Sequence, residues 1–583
     1  MAPDPRPARA TPRRLASHLL MLGRTAVQLV DEDPVRSSLL AVRRLPPRVR
    51  GPVGGLLERA GRASGRPAAH ALGLVLADHP DAARDLLADD RPGRLGAEVA
   101  VELGLPVPLT APASVRAREA WQRGDLTEAV ATLRTGGRRE RRQAARLESE
   151  RRTHLPEHRV AAPAGGPSLP PGEGPRSLHL LTNSLPWTQS GYALRSHAVL
   201  RAQAALGITA GATTRVGYPV TVGLPWAADR DVVDGVAYTR MLPPRLAPTA
   251  EQRLEQGARI LADHARRERA TVLHTTTHFP NALVTEAAAR ATGLPWVYEM
   301  RGQLERTWVA GRPEGLREHA AASERYCLWR DRELEMACAA DHVVVLSEVL
   351  RDEVVARGLP PERVTVVPNA VDAALLDDAA GPTEPAAARR DLGLPDDGFW
   401  VGTVSSLVGY EGLDVLLHAV ALLRAEGVDA RCAVVGDGVS RPSLVRLVDE
   451  LRLGAAVVMP GRVPPAQAVR WHRALDVFVV PRRDVEVART VTPLKPVEAM
   501  ALGRPVVASD LPALAEVVGA PGAGLLVRPE DPRALADTLR DLQADPALRR
   551  RLADRGRDFA ATRTWRTMAL RYRTVYENLG SER

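Results

Sequence analysis

Residues 474–481 read Ala-Leu-Asp-Val-Phe-Val-Val-Pro, and residues 492–510 read Thr-Pro-Leu-Lys-Pro-Val-Glu-Ala-Met-Ala-Leu-Gly-Arg-Pro-Val-Val-Ala-Ser-Asp. Val477–Val480 is a short, wholly apolar run, the pattern of a strand covered on both faces. A loop from Thr490 to Pro496 follows it, then a helix predicted to begin near Val497, then a second apolar run at Val506–Ala508. Apolar runs separated by a helix point to a parallel sheet with helices on its faces.

The same texture extends outward from this unit. Upstream and downstream lie Trp400–Val404, Cys432–Val435, Val457–Met459 and Leu525–Val527. An earlier series comprises Leu178–Leu181, Thr271–His274, Trp296–Tyr298, Val343–Leu346 and Val364–Val367. Two such series predict an α/β protein with two doubly wound, Rossmann-like domains, whose ligands bind where strand carboxyl ends face a crevice. The expected boundaries are 176–368 for the first domain, 369–560 for the second, and 561–583 for a C-terminal helix crossing back to the first. In that last stretch, Trp565, Met568, Leu570, Tyr572 and Val575 have helical apolar spacing.

Before residue 176 the texture differs. Residues 1–65 are rich in Arg, Pro and Gly, with a short amphipathic helix expected within Leu15–Val30. Residues 66–150 read as a helical domain. Ala120–Ala129 resembles half of a tetratricopeptide-type pair, but without a 34-residue period a small bundle is the expectation. Residues 151–175, with Pro and Gly clustered near the end, read as a linker.

The chain has 583 residues, 45% apolar and 26% charged, too long for one compact domain and too apolar for wholesale disorder. Its 79 basic and 70 acidic side chains leave +9. Only Lys495 is a lysine; with Ala and Pro also abundant, the arginine excess reads as codon bias. Residues 1–175 hold 28 arginines and 20 acids (+8), and residues 176–583 hold 51 basic and 50 acidic side chains (+1). The surplus therefore lies outside the α/β region. It predicts contact of residues 1–150 with an anionic membrane surface or a protein partner, or a solvated tail. No nucleic-acid module accompanies it, and no nucleic-acid partner is expected. Cys327, Cys338 and Cys432 have neither a disulfide pattern nor metal-ligand spacing, so no metal site is expected. With no apolar run of membrane-spanning length, the predicted location is cytoplasmic, with attachment to the inner face of the cell membrane as the alternative.

Four ordered segments carry a more specific signal: Val366-Val367-Pro368-Asn369-Ala370-Val371-Asp372, Val435-Gly436-Asp437-Gly438, Pro460-Gly461-Arg462-Val463-Pro464, and the 474–510 stretch. In this order and spacing they closely resemble the donor-binding domain of retaining glycosyltransferase family four, and the resemblance covers about 176–583. It implies a two-domain GT-B fold. It also implies transfer of a sugar from a nucleotide diphosphate donor, with no cofactor or metal. The acceptor would be a glycan, a lipid-linked molecule or a small molecule. The Thr490–Pro496 loop, with Thr492, Pro493 and Leu494, suits a diphosphate. Glu498 suits a pair of ribose hydroxyls, and the resemblance places Arg462 and Val463 beside the base.

The sequence also departs from the family pattern. Aligned on Gly412, the usual phosphate-holding arginine and lysine fall on Ser406 and Glu411, and the first glutamate of a paired signature falls on Thr490. Arg489 and Lys495 flank the loop and are the expected replacements for phosphate neutralisation. In the first domain, Gly191 would allow close backbone approach and Arg195 would meet an anionic group. The resemblance matches His278, rather than His274, to a histidine beside the transferred sugar. Glu299 and Arg301 either face the crevice or form a buried pair that holds the loop. A GT-B subunit that binds without catalysing is the alternative that these departures leave open.

Overall fold

The computed structural model describes residues 9–43, 45, 47–88, 93–164, 169, 174–377 and 384–581. Its first sheet contains β1 (Arg176–Leu181), β2 (Thr209–Thr214), β3 (Arg230–Val233), β4 (Val236–Arg240), β5 (Val272–Thr276), β6 (Trp296–Met300), β7 (His342–Val345) and β8 (Val364–Val366). Their order is β3-β4-β2-β1-β5-β6-β7-β8, parallel except for the β3–β4 hairpin at one edge. The second sheet contains β9 (Phe399–Val404), β10 (Ala430–Val435), β11 (Val457–Gly461), β12 (Val477–Val480), β13 (Val506–Ser509) and β14 (Gly524–Val527). Its order is β11-β10-β9-β12-β13-β14, and every pair is parallel. Both are doubly wound Rossmann-like sheets, so the GT-B expectation holds, and a helical region precedes the first strand.

The central strands β1, β5, β6 and β7 of the first sheet and β9, β10, β12 and β13 of the second are buried almost throughout, with helices covering both faces. Leu178, Leu273, Tyr298 and Val345 pack under one face of the first sheet against Leu261, Leu283 and Met336. Val272, Val297 and Val344 point the other way, as strand alternation requires, and meet Met568, Tyr572 and Tyr576. Those three belong to the last helix, Trp565–Ser581. The chain thus leaves the second domain and ends against the first.

The N-terminal region is helical from Pro12 onward. Helix Pro12–Glu32 is not a solvated tail. Met21 packs with Val220 and Leu242, His18 Nδ1 lies 2.8 Å from the Pro225 carbonyl, and Arg14 pairs with Asp229 at 2.9 Å. Helices Ala113–Arg123 and Leu126–Arg134 form a hairpin turned at Gly124, where φ is 101°. Arg325 of the first domain reaches this hairpin, donating to the Trp121 carbonyl at 2.9 Å with its guanidinium among Trp121, Trp308 and Trp329. The stretch read as a linker differs from that reading. Its first residues continue helix Arg138–His154, and Val160 is buried in the first domain's core. Among the described residues no helix is long and apolar enough to cross a membrane.

Candidate functional site

The carboxyl ends of β1, β5 and β6 open onto a cavity of about 130 Å³ lined by Thr182, Asn183, Tyr192, Thr277, His278 and Arg301 among others. Gly191 begins the adjoining helix Gly191–Ala205, which Ser190 caps by accepting from the Ala193 N–H. A Cβ added at Gly191 would meet no protein atom within 4 Å, so the space beside its backbone is open. His278 occupies the N-cap position of helix Phe279–Thr292 without a side-chain capping bond, and its buried Nδ1 has no hydrogen-bond partner among the described residues. Burial, helped by the Arg215 charge, lowers its pKa to about 4, so the ring is neutral. Arg215 was not singled out from the sequence. It follows β2, is exposed, and spends its Nε–H on the Thr182 carbonyl at 3.2 Å.

One predicted contact is corrected, and for Glu299 and Arg301 one of the two expected arrangements is found. Arg195 donates to Glu299, the Pro368 carbonyl, Asn369 Oδ1, the Val367 carbonyl and the Tyr572 hydroxyl, at 2.7–3.2 Å. A guanidinium has five N–H groups, so none is left for an anionic ligand. Arg195 instead ties the first domain to the interdomain turn and to the final helix. Glu299 is fully buried. Its oxygens meet Arg195 Nε at 2.9 Å, Arg301 Nε at 3.0 Å, His274 Nε2 at 3.0 Å and Arg301 Nη2 at 3.1 Å. Burial alone would raise its pKa, but the two guanidiniums and His274 hold it well below the usual carboxylate range. Glu299 and Arg301 are thus the buried pair that holds the loop. Arg301 also donates to the Tyr192 carbonyl and to Ser196 while still lining the cavity. His274 is a packed strand residue, stacked on His179 and hydrogen-bonded to Tyr576.

On the second domain, the loop after β12 is folded against the first. Thr490 Oγ1 donates to Gln303 Oε1 at 2.6 Å, Asn369 Nδ2 donates to the Thr492 carbonyl at 2.8 Å, and Glu486 meets Arg306 and Tyr326. The helix beyond the loop starts at Lys495 rather than near Val497. Pro496 fits there because an N–H in the first turn has no intrahelical partner to lose. Lys495 Nζ donates to Glu498 at 2.9 Å. Burial pushes the Glu498 pKa up, but Lys495 and His472 hold it below its ordinary value. Among the described residues, both ring nitrogens of buried His472, and Thr492 Oγ1, have no hydrogen-bond partner. Arg462 is exposed just after β11, and Val463 packs partly against the second domain's core.

The charges here are paired. Arg489 grips Asp484 at 2.5 and 2.7 Å. Glu411 is held by Arg482 at 2.8 and 3.2 Å, and Arg482 also donates to the Val491 carbonyl at 2.7 Å. Arg482 is a second residue of this region that the sequence does not single out; its only signal is its place directly after β12 and Pro481. Gly412 lies at the same junction with φ at 65°, where a Cβ would stand 2.0 Å from the Pro481 carbonyl oxygen.

Comparison with known proteins accords with this arrangement. Residues 386–559 match the family described as Glycosyl transferases group 1, and residues 209–375 match Glycosyltransferase Family 4. A D-inositol 3-phosphate glycosyltransferase from Catenulispora acidiphila is 30% identical over 313 residues, 52% of this chain and 71% of that protein. The chain belongs to glycosyltransferase family four. A D-inositol 3-phosphate glycosyltransferase from Thermobispora bispora is 33% identical over 226 residues, 37% of this chain and 51% of that protein. The family four chain described here thus spans about half the length of several curated relatives it matches. Sucrose-phosphate synthase from Thermosynechococcus elongatus shares the fold with a TM-score of 0.57 at 21% identity, covering 70% of this chain and 100% of that one. Anabaena Alr3699/HepE, solved in complex with UDP, has a TM-score of 0.52 at 18% identity, with 70% and 100% covered.

Proposed function

We propose that this glycosyltransferase moves a sugar from a nucleotide diphosphate donor to an acceptor hydroxyl, with retention at the anomeric carbon and without a metal. The observation that carries the reading is the meeting of two walls. The Thr490–Lys495 loop is hydrogen-bonded to Gln303 and Asn369, beside the β5 and β6 ends that form the His278 cavity. The donor's diphosphate lies along that loop, with the unpartnered Thr492 hydroxyl and the loop N–H groups as donors. Lys495 retains two N–H groups beyond the one given to Glu498, and Arg489 retains three beyond those given to Asp484. Glu498 accepts from the ribose hydroxyls. The departing phosphate oxygen takes the acceptor proton as the new bond forms on the same face, and the loop donors stabilise its developing charge.

The relatives' names point to a phosphorylated acceptor, and Arg215, exposed beside Thr182 and felt at His278, supports an anionic acceptor group. The experiment is product analysis by NMR with a panel of nucleotide sugars and with phosphorylated and neutral acceptors, in EDTA. An α-linked product from an α-linked donor is expected. An inverted product, or activity abolished by EDTA, overturns the reading.

A second reading rests on the pairing of Arg482, Arg489 and Lys495 with carboxylates: a GT-B subunit that binds nucleotide without transferring sugar. Calorimetric UDP binding without turnover of any donor favours it.

A further inference from the structure

Helix Pro12–Glu32 has two unlike faces. His18, Met21 and the partly buried Leu22 pack on the first domain. The opposite face carries Ala16, Leu19, Leu20, Gly23, Ala26, Val27 and Val30, all exposed: Leu19 by 52%, Leu20 by 49%, Val27 by 66% and Val30 by 54%. Spacings of three and four residues put these side chains on one continuous stripe. Arg13 and Arg24 are exposed on one flank, and neither forms an ion pair with a described residue. The acids at the helix end are already engaged, Asp31 by Arg139 at 2.9 Å and Glu32 by Arg146 at 2.6 Å. The backbone carbonyl of Trp226, a residue 46% exposed, accepts from the Ala10 N–H just ahead of the helix.

We propose that this outward face docks the enzyme on an anionic lipid bilayer, lying flat in the headgroup region. An apolar stripe with an unpaired basic flank fits that environment. A second copy of the chain fits less well. A two-fold contact through this face brings four arginines into one interface, while the Asp31 carboxylate on the same flank is already held by Arg139, a like-charge arrangement that opposes association.

The test is co-sedimentation of the full chain with vesicles of phosphatidylcholine alone, or of phosphatidylcholine and phosphatidylglycerol in equal parts. Binding is expected to the mixed vesicles and to weaken with salt. Leu20→Glu/Val27→Glu abolishes it. Arg13→Ser/Arg24→Ser weakens it about 25-fold, roughly fivefold per arginine at ~1 kcal/mol each. These side chains lie at the surface, so the thermal transition of each variant stays that of the wild type. Equal binding to neutral vesicles, or variants that bind like the wild type, overturns the proposal. So does light scattering that finds a dimer which Leu20→Glu/Val27→Glu splits, because the face is then a self-interface.

Discussion

Replacing Glu299 with Gln tests whether this residue is a brace or a ligand contact. The substitution keeps the shape and removes the charge. In the wild type, two guanidiniums and one carboxylate share a fully enclosed volume, with His274 neutral beside them. Contacts of 2.9–3.1 Å put the charge centres about 4 Å apart, where each pair is worth ~4 kcal/mol at an effective dielectric of 20 before desolvation is subtracted. Removing one partner of a buried pair costs about 3–5 kcal/mol, because the remaining charge stays buried and uncompensated. At ~3 kcal/mol the first domain's unfolding midpoint falls by roughly 6–12 °C, given about 2–4 °C per kcal/mol for a domain of this size. Differential scanning fluorimetry reads this directly. Glu299→Asp, which keeps the charge, recovers part of the loss. A Glu299→Gln midpoint within a degree of wild type, together with a tenfold higher KM, refutes the brace.

Lys495→Ala is expected to weaken nucleotide diphosphate binding about 10- to 150-fold in calorimetry, the loss of one charge-assisted hydrogen bond of ~1.5–3 kcal/mol; unchanged affinity and turnover remove Lys495 from the site. Arg482→Leu and Glu411→Leu should each destabilise the second domain by about 3–5 kcal/mol, while the double variant stays close to wild type, as read by urea unfolding. Burial lowers His154 to about 3 and His264, His278 and His472 to about 4. Below the unfolded value near 6.5 the unfolded chain binds more protons, so stability is complete above pH ~6.5 and is lost as pH falls towards 4. Urea midpoints at pH 7 and 5 should show this slope, and His278→Asn should reduce it.

The strands of both sheets that the sequence revealed are those with short apolar runs, because burial on both faces favours apolar side chains and admits a polar one such as His274 or Glu299 only where the fold supplies its partners. The three it did not reveal explain themselves. β2 reads Thr-Ala-Gly-Ala-Thr-Thr, with no bulky side chain to mark it. β3 and β4 form an edge hairpin, and their signal was the Asp234-Gly235 turn, with φ at 46° and 80°, the pairing favoured in two-residue hairpins. At the site, the loop and its cations were legible because glycines, prolines and charges punctuate the chain locally. Their partners were not. Arg195 looks like one arginine on a helix, and only the fold brings it acceptors from β6, from residues 367–369 and from the final helix. Glu411 and Arg482 are far apart in sequence and equally silent until the second sheet closes.

The pairing of three cations with three carboxylates sets which of them a diphosphate can recruit. Exposed ion pairs are worth about 0–1 kcal/mol, and Arg489 is 55% exposed in its pair with Asp484. Lys495 and Glu498 are less open, at 32% and 23%, but the ammonium keeps N–H groups to offer. A charge-assisted hydrogen bond to phosphate, at ~1.5–3 kcal/mol, therefore outweighs what either cation gives up. Arg482 differs, because its side chain and that of Glu411 are 6% and 12% exposed. Releasing it strands a buried carboxylate, so it stays with Glu411 and holds the loop through the Val491 carbonyl. Under the proposed function, the two exchangeable cations Lys495 and Arg489 would stand in for the family's missing phosphate cations, and the acid at position 411 is neutralised because Arg482 holds it.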